Sequence, residues 1–365
     1  MILTGGVDIT TKELEYVFDA TLNGWDDQYG KYVDRFEHSF CEYIGSKHAR
    51  SLTGGTQALL LSLDALEIGE GDEVIMPDLT YFACSDVVIN LGARPVFVDV
   101  REDTWCIDVE RIESAITPNT KAIMPVWLYG NAPEMDEITN IAKRHDIFVV
   151  EDACPAVGSL FNGLHAGTFG DFGCFSFHGA KIMTTGFGGM AVTDNEELDG
   201  RLHFLNDHGE DKTLPNRFWQ TEVGHSCYMH NINAALGLAQ LDRIEDFVLK
   251  KRQIFNWYHE RLYDIEGLSM NHEQDKARTN RWLTSIVLKG KFKMDRDCLM
   301  KRLKEDGIDT RPFFYAISSF DIYEDANTPM SHSLGLNGIN LPSGIQRTED
   351  EVDFISKKII KYLCG

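Results

Sequence analysis

The sequence predicts an α/β fold in which a mostly parallel sheet is covered on both faces by helices and followed by a smaller α+β unit. Three observations predict it. Short runs rich in Val, Ile, Phe and Met recur with almost no polar interruption, the pattern of strands buried on both faces. Helical segments separate several of these runs, as crossovers between parallel strands require. The pattern then changes near residue 245 to a long helical stretch with fewer strand candidates.

In chain order, Gln57–Leu66 (QALLLSLDAL) reads as a helix that opens just after a Gly-Gly-Thr turn. Glu73–Met76 is a short apolar run closed by Pro77, which cannot donate to a further ladder bond. Arg94–Val100 (RPVFVDV), Lys121–Trp127 (KAIMPVW) and Ile147–Glu151 (IFVVE) have strand composition, with a helix expected over Pro133–Arg144. Gly173–Phe177 and Gly189–Thr193 read as two more strands. A long helical pattern runs from Ile232 to Leu262. Beyond it come a strand candidate at Trp282–Leu288 and helices at Asp297–Glu305 and Thr348–Leu363. The expected division is residues 1–245 for the larger domain and 246–365 for the smaller.

Composition narrows the function. Of 365 residues, 35 are Lys or Arg and 57 are Asp or Glu, a formal charge of −22. That charge argues against general affinity for nucleic-acid backbones, which clustered cations provide. It leaves room for an anionic small substrate, because a local pocket can reverse the global sign. No window approaches the roughly 18 apolar residues of a membrane span, and the N-terminus lacks a basic region followed by an apolar one. The eight cysteines are scattered without a CxxC pair, so they read as small core residues of a reducing cytoplasm. No His/Asp/Glu set with metal-ligand spacing stands out.

Three features carry chemistry. Thr53-Gly54-Gly55-Thr56 precedes a helix, where free N–H groups and the helix dipole favour an anion. Taken alone, it reads first as a Thr N-cap after a Gly turn. Asp152 follows the run IFVVE, at the strand end where open α/β sheets bind ligands. It could pair with a cationic ring nitrogen, hold a metal, or cap a helix. Lys181 lies in CFSFHGAKIMTTGFGG, between an apolar strand and a Thr/Gly-rich segment. A lysine against apolar walls gives up its proton readily and can react with a carbonyl; a surface lysine would look similar in isolation. Together and in this order, the three match the needs of pyridoxal phosphate. Its phosphate needs an anion cup, its ring nitrogen a carboxylate, and its aldehyde a lysine.

The sequence resembles the sugar aminotransferases of the DegT/DnrJ/EryC1/StrS family, nearly end to end. GWDDQYGKYVDRFEHSFCEYIG is similar to the family's opening. TGGTQALLLSLDALEIGEGDEVIMPDLTYFA is similar to its cofactor-phosphate loop and next strand. ARPVFVDV, VEDACPAVGS and FGCFSFHGAKIMTTGFGGMAVTD follow in order, and GIDTRPFF and GINLPSG are closest to the perosamine-synthase-like branch. The resemblance implies the aspartate aminotransferase fold (fold type I of the pyridoxal phosphate enzymes) and a homodimer with shared active sites. It also implies L-glutamate as amino donor and a nucleotide-linked 4-keto-6-deoxy sugar as acceptor, for a bacterial surface polysaccharide. Lys181 becomes the lysine that joins the cofactor, and Asp152 the partner of its ring nitrogen. Gly55, Thr56 and Ser176 become phosphate ligands, and Tyr81 the ring stacked on the cofactor, a position where a core aromatic is the alternative. Ser226 would reach the neighbouring subunit's cofactor.

His178 is a candidate substrate or phosphate contact, or a turn filler. Arg311 is a candidate for a phosphate or donor carboxylate, or a surface ion pair, and Tyr315 for the same pocket. Pro155 replaces the family's Gln, Phe187 its acidic residue after the lysine, Ser226 its Asn and Tyr228 its Arg. These departures keep transamination of another ketone, a phosphorylated triose or an octulosonate, in view. A sugar dehydratase of the family would carry His where this chain has Lys181.

Overall fold

The computed structural model describes residues 1–365. The chain lays down β1 (His48–Leu52), β2 (Glu73–Pro77), β3 (Arg94–Val98), β4 (Thr120–Ile123) and β5 (Phe148–Asp152). A small hairpin follows, β6 (Leu160–Phe161) and β7 (Leu164–His165), then β8 (Phe172–Ser176) and β9 (Gly189–Thr193). The main sheet has the order β1-β9-β8-β5-β4-β2-β3. Its β8, β5, β4, β2 and β3 pair in parallel, while β9 runs antiparallel to β8 and β1. Every residue of β2, β8 and β9 is buried, as their unbroken apolar sequence predicts. One core packs on each face of this sheet.

The second unit is a sheet of β10 (Leu268–Met270), β12 (Ser285–Leu288), β13 (Arg311–Pro312) and β14 (Gly338–Asn340), in the order β10-β12-β14-β13. The short strand β11 (Ala277–Arg278) pairs instead with β6 of the first unit. The helices Ile244–Leu262, Arg296–Glu305 and Glu349–Cys364 close a separate apolar core over the second sheet. Residues 1–4 also pack here, with Ile2 bridging Ile308 and the Thr4 hydroxyl donating to Asp309 at 2.6 Å.

Two sequence expectations change. The long helix is broken in two, Asn231–Leu241 and Ile244–Leu262. Arg243 leaves helical geometry (φ −117°, ψ 6°), and its guanidinium meets Asp8 and the buried Glu13. Gln240 donates to the same Glu13 at 2.7 Å, so the break is held by the N-terminal segment. The strand expected from Trp282 begins only at Ser285. Arg281 takes a left-handed φ of 53°, and the Trp282 N–H turns to the Asn280 side chain at 2.9 Å.

Two buried carboxylates dock the units where the parallel strands end. Asp78, just past β2, accepts from the Ser318 N–H (2.8 Å) and hydroxyl (2.7 Å) and from Thr328. Asp99, just past β3, accepts from Met330 N–H (3.0 Å), Ser331 N–H (2.8 Å) and the Ser331 hydroxyl (2.8 Å). Buried carboxylates need such donors. The result brings Arg311–Phe314 to the same edge as the ends of β2, β4, β5 and β8. No helix is long and apolar enough to cross a membrane.

Candidate active site

A cavity of about 400 Å³ opens at that edge, lined by Gly54, Gly55, Thr56, Tyr81, Asp152, Ser176, His178, Lys181 and Arg311 among others. Residues from the whole length of the chain thus converge at the C-terminal ends of parallel strands, the usual ligand position in open α/β sheets.

The cup is built by backbone. Gly54 is the N-cap of the helix Gly55–Ala65, and no side chain caps that end. The first N–H groups of the helix have no intrahelical acceptor and face the cavity. The Thr N-cap reading therefore does not apply. A Cβ on Gly55 would stand 2.7 Å from Cys154 Sγ and 2.8 Å from Ser176 Cβ. Gly55→Ala is expected to cost about 1–3 kcal/mol of fit here, read as a roughly 5- to 150-fold rise in the dissociation constant for pyridoxal phosphate. Unchanged affinity would remove Gly55 from the cup.

Asp152 ends β5 with its side chain 5% exposed. One oxygen accepts from the Cys154 N–H at 3.0 Å, the other from the Cys84 thiol at 3.1 Å. No Lys, Arg or His forms an ion pair with it. A buried carboxylate without a cation is costly, so this one suits a protonated ring nitrogen. Its neighbour Glu151 is the contrast. The Glu151 carboxylate takes N–H donors from Gly167, Phe169, Gly170 and the Trp127 indole at 2.6–3.0 Å, and burial raises its pKa. It is a structural acid with no acceptor capacity to spare. No group of three or more His, Cys, Asp or Glu stands together to hold a metal ion.

Lys181 follows a turn closed by its own N–H to the His178 carbonyl (2.8 Å). Its amine stands 4.2 Å from the centre of the Trp282 ring and pairs with no carboxylate. Burial lowers its pKa, against the opposing pull of Cys154, Asp152 and Cys84. The amine is thus kept more readily neutral than an exposed lysine's. Cup, carboxylate and lysine share one cavity, as the cofactor's three anchor points demand.

The sequence pattern of the DegT/DnrJ/EryC1/StrS aminotransferase family matches residues 7–360. The chain belongs to this family. It is a pyridoxal-phosphate-dependent aminotransferase of the sugar aminotransferase type. It is 39% identical to the GDP-perosamine synthase of Escherichia coli O157:H7 over 358 residues, covering 97% of this chain and 96% of that one. Identity to the GDP-perosamine synthase of Caulobacter vibrioides is 38% over 346 residues, 93% and 92% of the two chains. The putative sugar aminotransferase Spr1654 of Streptococcus pneumoniae, solved in its PLP form, superposes with a TM-score of 0.91 at 29% identity, covering 98% and 97% of the chains.

Within this aminotransferase the other candidates divide. Tyr81 is 46% exposed into the cavity and packs on Phe82 and Phe314 (4.2 and 5.5 Å between ring centres), so it is not a core aromatic. Ser176 lies at the foot of the cup, its hydroxyl accepting from the His178 N–H at 3.4 Å. His178 is exposed in the cavity, with Nδ1 accepting from the Ala180 N–H and its ring edge-on to Phe187. Arg311 is exposed, lines the cavity and forms no ion pair. Tyr315 does not line it; its hydroxyl is drawn away to Arg296 at 3.3 Å. Ser226 is exposed outside this chain's own cavity, on a segment that bridges β1 through Tyr228 and Leu52. Pro155 and Phe187 line the cavity and Tyr228 does not.

Sequence reasoning missed Trp282, Leu283, Asn340, Thr4 and Gly5, which also line the cavity. Trp282 and Leu283 lie in a strand candidate and Asn340 in the GINLPSG block, but nothing local to them, or to Thr4 and Gly5, says that they face this cavity.

Proposed function

We propose that the enzyme moves the amino group of L-glutamate to the C4 ketone of a nucleotide-linked 4-keto-6-deoxy sugar. The observation that carries this is a single cavity holding a free lysine, a carboxylate without a cation and an uncapped helix N-terminus. The likeness to GDP-perosamine synthases over almost the whole chain supports the sugar class and a role in surface polysaccharide synthesis.

Pyridoxal phosphate, when bound, supplies a carbonyl to carry the amino group and a ring to accept electrons. The chain's residues do the rest. The N–H groups at Gly55 and Thr56, with the Ser176 hydroxyl, would hold the phosphate. Asp152 would keep the proton on the ring nitrogen. Tyr81, half exposed in the cavity, would pack against the ring. The Lys181 amine, its pKa lowered by burial, removes the proton from the donor α-carbon and later returns one to the sugar C4. Arg311, unpaired in a chain of net charge −22, meets the anionic part of a substrate.

The working unit is a homodimer, with Ser226 of each chain reaching toward the neighbour's cofactor. Exposed apolar side chains support a covered surface, among them Phe187 (65%), Phe218 (75%) and Trp219 (53%). The test loads the enzyme with pyridoxal phosphate and follows its visible absorbance as L-glutamate is added, then supplies keto sugars and reads the product by mass. Loss of the visible band with L-glutamate, then an amino sugar from a 4-keto-6-deoxy nucleotide sugar, is the expected result. No visible band at all overturns the site. A band that L-glutamate leaves unchanged overturns the donor.

A further inference from the structure

Trp282 comes from the second unit, yet it is joined directly to the lysine turn. Its side chain is 5% exposed. The indole N–H donates to the carbonyl of Ala180, the residue just before Lys181, at 2.8 Å. The ring face lies 4.2 Å from the Lys181 amine. Its own backbone is held at both ends: its N–H donates to Asn280 at 2.9 Å, and its carbonyl accepts from the buried Lys251 amine at 2.9 Å. Lys251 also donates to the Ser343 carbonyl at 2.6 Å. The Asn280 amide reaches back to the Pro155 and Val157 carbonyls, both at 2.9 Å, in the loop after Asp152. These bonds tie both the backbone and the ring of Trp282 to its neighbours.

We propose that Trp282 is the positioning residue for Lys181: its ring face is the resting place of the amine whenever the cofactor does not hold it, and its N–H fixes the backbone that carries the lysine. This rests on the aminotransferase reading above, in which Lys181 is released and re-engaged in every cycle. The groups that face the amine are Asp152, Cys84 and Cys154, and none of them ion-pairs with it. The indole face, 4.2 Å from the amine, is a group able to stabilise an ammonium without neutralising it. An amine parked there stays in the cavity instead of folding onto Asp152, whose charge a bound cofactor ring would need.

The test compares two ligands. Pyridoxal phosphate ties up the Lys181 amine, whereas pyridoxamine phosphate leaves it free. A ring that stabilises the free ammonium therefore favours the second ligand over the first. Dissociation constants for both are measured on wild type, Trp282→Leu and Trp282→Phe. In Trp282→Leu the affinity ratio should move toward pyridoxal phosphate by roughly 2- to 30-fold, the usual strength of such a contact. The change should be largest at low pH and fade as pH rises and the amine loses its proton. Trp282→Phe keeps a ring face and should stay nearer the wild-type ratio, although it loses the Ala180 hydrogen bond. General damage to the site weakens both ligands alike and leaves the ratio unmoved. If Trp282→Leu does not fold, Trp282→Met, which fills the space without a ring, is read in the same way. An unchanged ratio in a variant that binds both ligands overturns the inference alone. A wild-type chain that binds neither ligand overturns the aminotransferase site with it.

Discussion

Lys181→Ala should lower turnover by about 10⁴-fold, the upper end for loss of a positioned acid–base group. The measurement is the rate of 2-oxoglutarate formation in a single turnover with L-glutamate. The variant should still bind pyridoxamine phosphate, because the cup at Gly55 and the Asp152 carboxylate are separate from the lysine. Lys181→Arg should be as inactive, since a guanidinium stays protonated. In the wild type the sign of the pH dependence follows from burial. In the proposed mechanism the neutral amine is the base, and desolvation lowers its pKa from the ordinary lysine value. Activity should therefore rise with pH through that lowered pKa, at lower pH than an exposed lysine would need. A Lys181→Ala enzyme that transaminates at the wild-type rate would falsify the assignment.

Asp152→Asn is the second large effect. The amide fills the same space and its oxygen can still accept from Cys154 or Cys84. What it lacks is charge, so nothing holds the proton on the cofactor ring, and kcat should fall by about 10³-fold. The empty protein should behave in the opposite sense. Asp152 is a buried carboxylate with two hydrogen-bond donors and no ion-pair partner, an arrangement that costs stability until a cation arrives. Asp152→Asn should therefore unfold at an equal or higher temperature than wild type without cofactor, and gain less when pyridoxal phosphate is added. A variant destabilised without cofactor would instead mark Asp152 as a structural acid of the Glu151 kind.

The strands near the site were legible because they are almost wholly buried, β8 and β9 at every residue and β5 at all but Phe148. Ile147–Glu151, Gly173–Phe177 and Gly189–Thr193 each lie within one residue of β5, β8 and β9. The helix Thr11–Asn23 was missed although its signal is in the sequence. Thr10 and Glu13 form a capping box, with the Thr10 N–H on the Glu13 carboxylate at 2.7 Å. The helix Lys31–Ile44 was missed too, although Tyr32, Phe36, Phe40 and Ile44 recur at four-residue spacing on its buried face. The break at Arg243 had no comparable signal. Its cause is an ion pair with Asp8 and Glu13, more than 200 residues away. Tyr315 lies off the cavity for a similar reason: nothing near it in sequence announces Arg296, which donates to its hydroxyl.

The sequence alone determined the α/β class and singled out the Gly-Gly-Thr turn, the strand-end Asp152 and the post-strand Lys181 that share the cavity. Each is encoded by spacing within a few residues, where backbone geometry leaves little freedom. Only the tertiary structure decided which of two adjacent acids has its acceptors filled. Successive strand residues point to opposite faces, and Glu151 meets four donors while Asp152 meets two. It also decided that Trp282 faces Lys181, that Arg311 is unpaired and that the second unit closes the cavity. Those outcomes depend on contacts between residues roughly 100 or more apart, which chain closure brings together and no local pattern records.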